Sequence, residues 1–425
     1  MFLRYFAVSV FNTTQLFMLV RSFSRLNQTV WRWGHSGSSA LGSTSSELSQ
    51  TPSAIPSLTN VPGQVQSIAN GVEHSALVLD GHLLTFGSNK YHQLGRPTPN
   101  APVDAEPVPV ASDVVSVACG GWHSVSLHSD GSLSSFGWGG SLYSGAGALG
   151  LGSKTSAPLP TPISLNERVT QVACGQQHSL FLSDSGAVYA TGHGAYGLLG
   201  TGDAGDELLP VKLSALETTL LEGERVKKIA CGGSFSAFIT NKGNLYVWGR
   251  NDSGQLGLGE ESQGDMHSAE RYPRRLPFFE TERTAIKDVA CGENHMVVLA
   301  NNGAIYYWGD RTWLEPHIVS LPEANGGLKG ITKIVAGSKF SFALNEAGLV
   351  YAWGAKNSGC LVIGDLKRNI VTPTVIPPSA FGNQKVVDIG AGRQRCTVVT
   401  SDEEYIATSP EEAEELRKRM EHKSH

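Results

Sequence analysis

The chain has 425 residues, 49 of them glycine, and only 17% are charged; a polypeptide this long and this poor in charge has a large core and is not a disordered one. Its formal net charge of −5, with no stripe of Lys and Arg, excludes a nonspecific polyanion binder and gives no reason to expect DNA as a partner. No long amphipathic helical pattern appears before the extreme C-terminus, so the length is expected to build one all-β body of many short strands.

Positions 1–46 contain no Asp or Glu, while Arg4, Arg21, Arg25 and Arg32 are spread among Phe, Leu, Ser and Thr. That is the acid-poor, Arg-bearing composition of a mitochondrial presequence. Arg21-Ser22-Phe23-Ser24 resembles a matrix-processing pattern, which places cleavage after Phe23 and takes the formal charge to −7. The rival reading, a secretory signal or membrane anchor, rests on the apolar run 5–20. Asn12, Thr13, Thr14 and Gln15 interrupt that run, and it is shorter than the ~20 residues a spanning helix needs.

Beyond this segment one pattern recurs. "VACGQQHSLFLSDSGAVYATG" at 172–192 returns at 117 ("VACGGWHSVSLHSDGSLSSFG"), 229 ("IACGGSFSAFITNKGNLYVWG") and 289 ("VACGENHMVVLANNGAIYYWG"), with weaker copies at 68, 334 and 389. Gly71, Gly120, Gly175, Gly232, Gly292, Gly337 and Gly392 fall in register, 45 to 60 residues apart, the period of propellers, solenoids or arrays. Each unit reads as a strand before the glycine, a short apolar strand ("SLFLS"), a glycine turn, a β-rich strand ("NLYVWG") and a looser fourth strand near proline, as at 107–110 and 373–376. A four-stranded sheet cannot bury both faces alone; packing seven around an axis solves this, which predicts an all-β, seven-bladed propeller. "WRWGHSGSSALG" at 31–42 holds only the second half of a unit, and 386–400 only the first. The two halves are expected to share one blade and close the ring.

The expected organisation is therefore a presequence over 1–23, a propeller over 24–408 and a charged tail or short surface helix over 409–425, with Ser409 as N-cap. Two segments read as projections from the wheel: the expanded glycine-rich loop 137–152 and the insertion 260–275, ending "RYPRR".

The recurring polar residues have a structural reading beside any functional one. Cys119, Cys174, Cys231 and Cys291 stand one per unit, too far apart for the paired spacing of a zinc site, so no metal, disulfide or other cofactor is expected. Cys360 and Cys396 fall outside that register, as free thiols. His74, His123, His178 and His295 are expected to satisfy backbone groups near a turn, and Trp33, Trp248, Trp308 and Trp353 to pack blades. Trp122 differs: it is read as a lone exposed aromatic, a contact hot spot. No phosphate-cradling loop and no nucleophile, base and acid set stands apart from the repeat, so no catalytic residue for covalent chemistry is named.

The units resemble the repeats of the regulator of chromosome condensation family, a seven-bladed propeller, best at 226–259 where "WGRNDSGQLGLG" is nearly undiluted. The presequence together with "WGHSGSSALG" and "VYAWGAKNSGCLVIG" is similar to the mitochondrial, Williams-Beuren-region subgroup. The chain departs from the pattern where Thr191-Gly192 lacks tryptophan and where 310–317 drops the "GQLG" segment. The resemblance implies a nucleotide exchange factor for an organellar GTPase, such as a dynamin-like fusion protein, located in the matrix or peripheral to the inner membrane. The subgroup also implies the alternative of a non-catalytic scaffold associated, indirectly, with mitochondrial rRNA modification and ribosome precursors. In the family's exchange factor the two residues between the repeat glycine and histidine face the GTPase. Those places here hold Val72 and Glu73, Gly121 and Trp122, Gln176 and Gln177, Gly233 and Ser234, Glu293 and Asn294, Ser338 and Lys339, and Arg393 and Gln394. The partner-binding face is thus expected to comprise Glu73, Trp122, Gln176, Gln177, Glu293, Asn294, Lys339 and Arg393, with Glu73 and Glu293 in the acidic role.

Overall fold

Alternation of apolar pairs with glycine turns dictates hairpins, and the computed structural model, which describes residues 27–35, 48–98, 103–141, 147–214, 223–259, 268–363 and 368–404, consists almost wholly of them. They assemble into seven antiparallel sheets. Blades 1 to 6 span 65–111, 114–163, 169–212, 226–275, 286–320 and 331–375, with strands in sequence order from the axis outward. In blade 3 the second strand, His178–Ser183, is buried at every position, as its apolar run predicts for a strand covered on both faces. The turn glycines, Gly186 at φ 89° among them, take the left-handed conformation a tight hairpin needs.

Blade 7 is built from both ends. Gln384–Ala391 and Arg395–Glu404 form its inner half, Asn27–His35 and Leu48–Ala54 its outer half. The seam is the pairing of Asn27–His35 with Arg395–Glu404, from Gln28 opposite Ser401 to Gly34 opposite Arg395. The innermost strand of this blade packs against those of blades 1 and 6, so the ring is closed. Trp33 seals it: fully buried, its ring meets Phe342 of blade 6 edge-on at 6.0 Å and shares a core cluster with Phe340, Phe381 and Cys396.

Of the two projections, the insertion is corrected. Ala269–Arg275 is the outermost strand of blade 4, pairing with Leu245–Arg250, so "RYPRR" belongs to the sheet and not to a projecting loop. Residues 260–267, the middle of the 137–152 loop, the presequence and the tail lie outside the described residues. No helix among the described residues is long and apolar enough to cross a membrane.

Because Trp33 is the buried anchor of the seam, Trp33→Ala is expected to lower the unfolding free energy by about 3–5 kcal/mol. The shift of the urea-denaturation midpoint at constant slope measures it.

Candidate partner-binding face

Blades hold one another at the end of the wheel where each repeat glycine sits. His74, His123, His178 and His295 do not serve backbone groups, as the sequence suggested; each reaches a serine on the next blade. Their Nε2 atoms lie 2.9, 2.9, 2.9 and 3.0 Å from the Oγ of Ser124, Ser179, Ser236 and Ser341. Three of these hydroxyls donate to carbonyls of Gln93, Ala148 and Leu198. A hydroxyl has one proton to give, so there each serine accepts from Nε2–H, and the buried, unpartnered Nδ1 of His74 and His178 fits a neutral ring. Burial agrees, holding the pKa of His74 and His178 down at about 3 and of His123 at about 4.

The same position explains the odd repeats. Blades 4 and 6 carry Phe235 and Phe340 instead of histidine, and the serine site of the following blade becomes Met296 and Cys396. Each pair is buried in one apolar cluster. Cys396 thus stands in the serine column, outside the register of the four repeat cysteines, and is a free thiol as the sequence suggested. The repeat glycine is required by approach distance: a Cβ on Gly175 would stand 2.1 Å from the His178 ring and 2.6 Å from the Gly232 carbonyl of the next blade.

The axis is narrow. Cys119, Cys174, Cys231 and Cys291 line a cavity of about 150 Å³ at its mouth. Their side chains are partly accessible to that cavity, and desolvation pushes the Cys174 thiol up to about 12 and raises the other three. These are inert, protonated thiols, all free. Among the described residues no cluster of three metal-ligating side chains occurs.

Around this mouth stand the residues between glycine and histidine. The first of each pair lines the opening, and main-chain bonds tie it to the next blade: Gln176 N–H to Gly233 O, Glu293 N–H to Gly337 O, Ser338 N–H to Arg393 O. The second has its carbonyl fixed by the N–H that follows the outer glycine, as in Trp138 N–H to Trp122 O and Ala355 N–H to Lys339 O. The backbone is uniform and rigid while its side chains vary, which is the requirement for a specific docking face.

Within the face the eight expected residues separate into groups. Glu293, Arg393 and Gln176 come from blades 5, 7 and 3 and meet across the axis, with Glu293 Oε1 3.1 Å from Arg393 Nη2 and 3.3 Å from Gln176 Nε2. Gln177 and Asn294 are half-buried on their own blades, and Lys339 is exposed. The Glu73 carbonyl accepts from Ser88 N–H, but its carboxylate makes no hydrogen bond or ion pair among the described residues, although it lies in the field of buried Arg395. Trp122 is not a lone exposed indole. It is half-buried and meets Tyr91 at 5.9 Å and Trp138 at 5.6 Å, both edge-on, with Lys90 Nζ 5.3 Å from the Tyr91 ring. The sequence missed Tyr91 and Trp138 because they lie in loops after the outer glycine, outside the repeated columns.

Known proteins sort the chain by this architecture. The RCC1-like domain model matches residues 23–312 and again 146–416, together nearly the whole length. The chain belongs to the RCC1-like propeller family. It is 30% identical to the ultraviolet-B receptor UVR8 of Arabidopsis thaliana over 373 residues, 83% of this chain and 79% of that protein. It is 32% identical to mouse Protein RCC2 over 276 residues, 58% of this chain and half of RCC2's length. The crystal structure of human WBSCR16 superposes with a TM-score of 0.73 at 25% identity, covering 88% of this chain and 99% of that one. This RCC1-like chain is thus similar to the subgroup its sequence resembles. Prp20p of Saccharomyces cerevisiae, whose structure was described with its binding to Gsp1p and histones, matches in fold with a TM-score of 0.76 at 22% identity, covering 95% of this chain and 98% of Prp20p.

The histidine staples give the RCC1-like wheel a pH dependence with a defined sign. The folded pKa values of His74, His123 and His178 lie below the unfolded value of about 6.5, so the unfolded chain binds more protons as pH falls. Their contribution is complete above neutral pH and is lost between about 6.5 and about 3. Replacing His178 with Gln, which keeps an N–H donor without titrating, is expected to flatten the loss of stability between pH 8 and pH 5. Urea midpoints at the two pH values check it.

Proposed function

We propose that this chain is a mitochondrial interaction protein that binds a GTPase through the axial face and promotes release of its nucleotide, the GTPase being an organellar, dynamin-like fusion protein. The observation that carries the reading is the presence, on neighbouring blades 1 and 2, of Glu73, whose carboxylate has no partner among the described residues, and of the aromatic group Tyr91, Trp122 and Trp138. An exchange factor must bind the nucleotide-free GTPase more tightly than the loaded form. A rigid platform with an aromatic anchor supplies the binding, and a carboxylate beside it supplies repulsion toward phosphates and competition for a magnesium ion. The acid-free, Arg-bearing segment 1–46 supports a matrix address, with peripheral contact to the inner membrane where such a GTPase resides.

A second reading has its own observation. Glu293, the other carboxylate at these positions, is neutralised by Arg393 at the centre of the face. A face whose axis is already paired suits a non-catalytic scaffold, here in mitochondrial rRNA modification and ribosome assembly.

Purified residues 24–425 are expected to accelerate loss of fluorescent GDP from the GTPase. Glu73→Lys should abolish acceleration and, by setting a second cation in the field of buried Arg395, lower the melting temperature somewhat; Glu73→Gln should abolish it with a smaller loss of stability, and Trp122→Ala should weaken complex formation by about tenfold or more, as for a hot-spot aromatic. Absence of any acceleration, with co-sedimentation on ribosomal precursors, would establish the scaffold reading instead.

A further inference from the structure

Blade 5 lacks the "GQLG" loop, so its fourth strand begins almost at once. Gly309 pairs directly with Trp313, where the outer glycines of blades 3 and 4 pair with Glu207 and Glu270. Two residues further on, each outermost strand has a residue followed by proline. In blades 2, 3 and 4 that residue is Leu159, Leu209 and Tyr272; in blade 5 it is Glu315. Among these four blades, only the fifth therefore sets an indole and a carboxylate side by side on the rim of the wheel.

Both residues line an open groove of about 840 Å³ between blades 4 and 5, together with Leu258, Leu314, Pro277 and Pro316. One face of the Trp313 indole lies on the His317 imidazole, centroids 3.8 Å apart and 7° from parallel. Trp313 is nevertheless 41% exposed, so the other face of the indole is open. The Glu315 side chain is exposed and stands against Gly259, where any side chain would collide with its Oε1. Its carboxylate has no hydrogen bond or ion pair among the described residues. Arg274, the cation that lines the groove, is already held by Glu270 at 2.7 Å, so Glu315 is the charge left over. The walls are poor templates for an added strand. Pro316 has no N–H to offer, and Leu314 O already accepts from Gly259 N–H at 3.1 Å.

We propose that the rim groove between blades 4 and 5 captures an arginine-bearing, extended segment of a partner protein. An open indole face beside an unpaired carboxylate suits a guanidinium, which stacks flat on the ring while its N–H fork meets the acid. Half-buried Leu258 and Leu314 offer apolar surface to the residues flanking that arginine. The segment is gripped by side chains and not by sheet extension. The groove belongs to the outermost strands and not to the axial face, so this contact is independent of nucleotide exchange.

The probe is the capped peptide acetyl-Gly-Leu-Arg-Leu-Gly-amide. Full-length protein labelled with 15N at tryptophan is titrated with it, and the Trp313 indole resonance is assigned by its loss in Trp313→Phe. The peptide is expected to shift that resonance selectively, and the analogue with glutamate in place of arginine to leave it unmoved. Glu315→Gln, a change at an exposed side chain, is expected to weaken binding by about threefold, the scale of one exposed charge pair. No shift of the Trp313 resonance at millimolar peptide, an equal response to the glutamate analogue, or undiminished binding by Glu315→Gln overturns the proposal. So does a Trp313 shift produced by oligouridylate and not by the arginine peptide, which would make the groove a stacking site for nucleic acid.

Discussion

The wheel depends on a reciprocity between neighbouring sheets: the residue that opens the second strand of one blade must match the residue that follows that position on the next. Where it is histidine the match is a serine hydroxyl, and where it is phenylalanine the match is methionine or cysteine. Neither half has a satisfactory environment without the other, since a buried imidazole needs its acceptor and a buried phenyl ring needs an apolar wall. The seventh junction is different again. Arg395 stands in the histidine column, 2% exposed and without a hydrogen bond to its terminal nitrogens, while Ser75 of blade 1 turns to Asn70 instead.

This arrangement makes the axial face stiff. Each glycine permits contact between a ring on its own blade and a carbonyl on the next, at distances no Cβ would allow. Main-chain bonds then run from blade to blade around the mouth. The side chains set on this frame are free to differ, and they do: an ion pair over the axis and an aromatic group on blades 1 and 2. Function in such a fold resides in the grafted side chains and not in the scaffold.

The architecture was legible because it is periodic. Strand burial, hairpin glycines, the blade tryptophans and the shared blade all follow from register, and register is visible in Gly71 through Gly392. What was not legible depends on which loop meets which blade. The serine partners of the histidines lie 46 to 58 residues away, a separation no local pattern reports. Tyr91 and Trp138 escaped notice for the same reason, and "RYPRR" looked like an extension because its pairing strand lies across an unpatterned insertion. Glu293 read as an available acid in one dimension; Arg393, a hundred residues later in the chain, neutralises it in three.

The shared blade also orders events in time. Trp31 donates to Thr400 across 369 residues of chain, and Val30, opposite Val399, is fully buried only when that strand is in place. During synthesis Asn27–His35 must therefore wait, with its apolar side chains uncovered, until Arg395–Glu404 has emerged. Contacts this remote are slow to form and leave a sticky intermediate, so the nascent wheel is an open crescent with two adhesive edges until those strands meet.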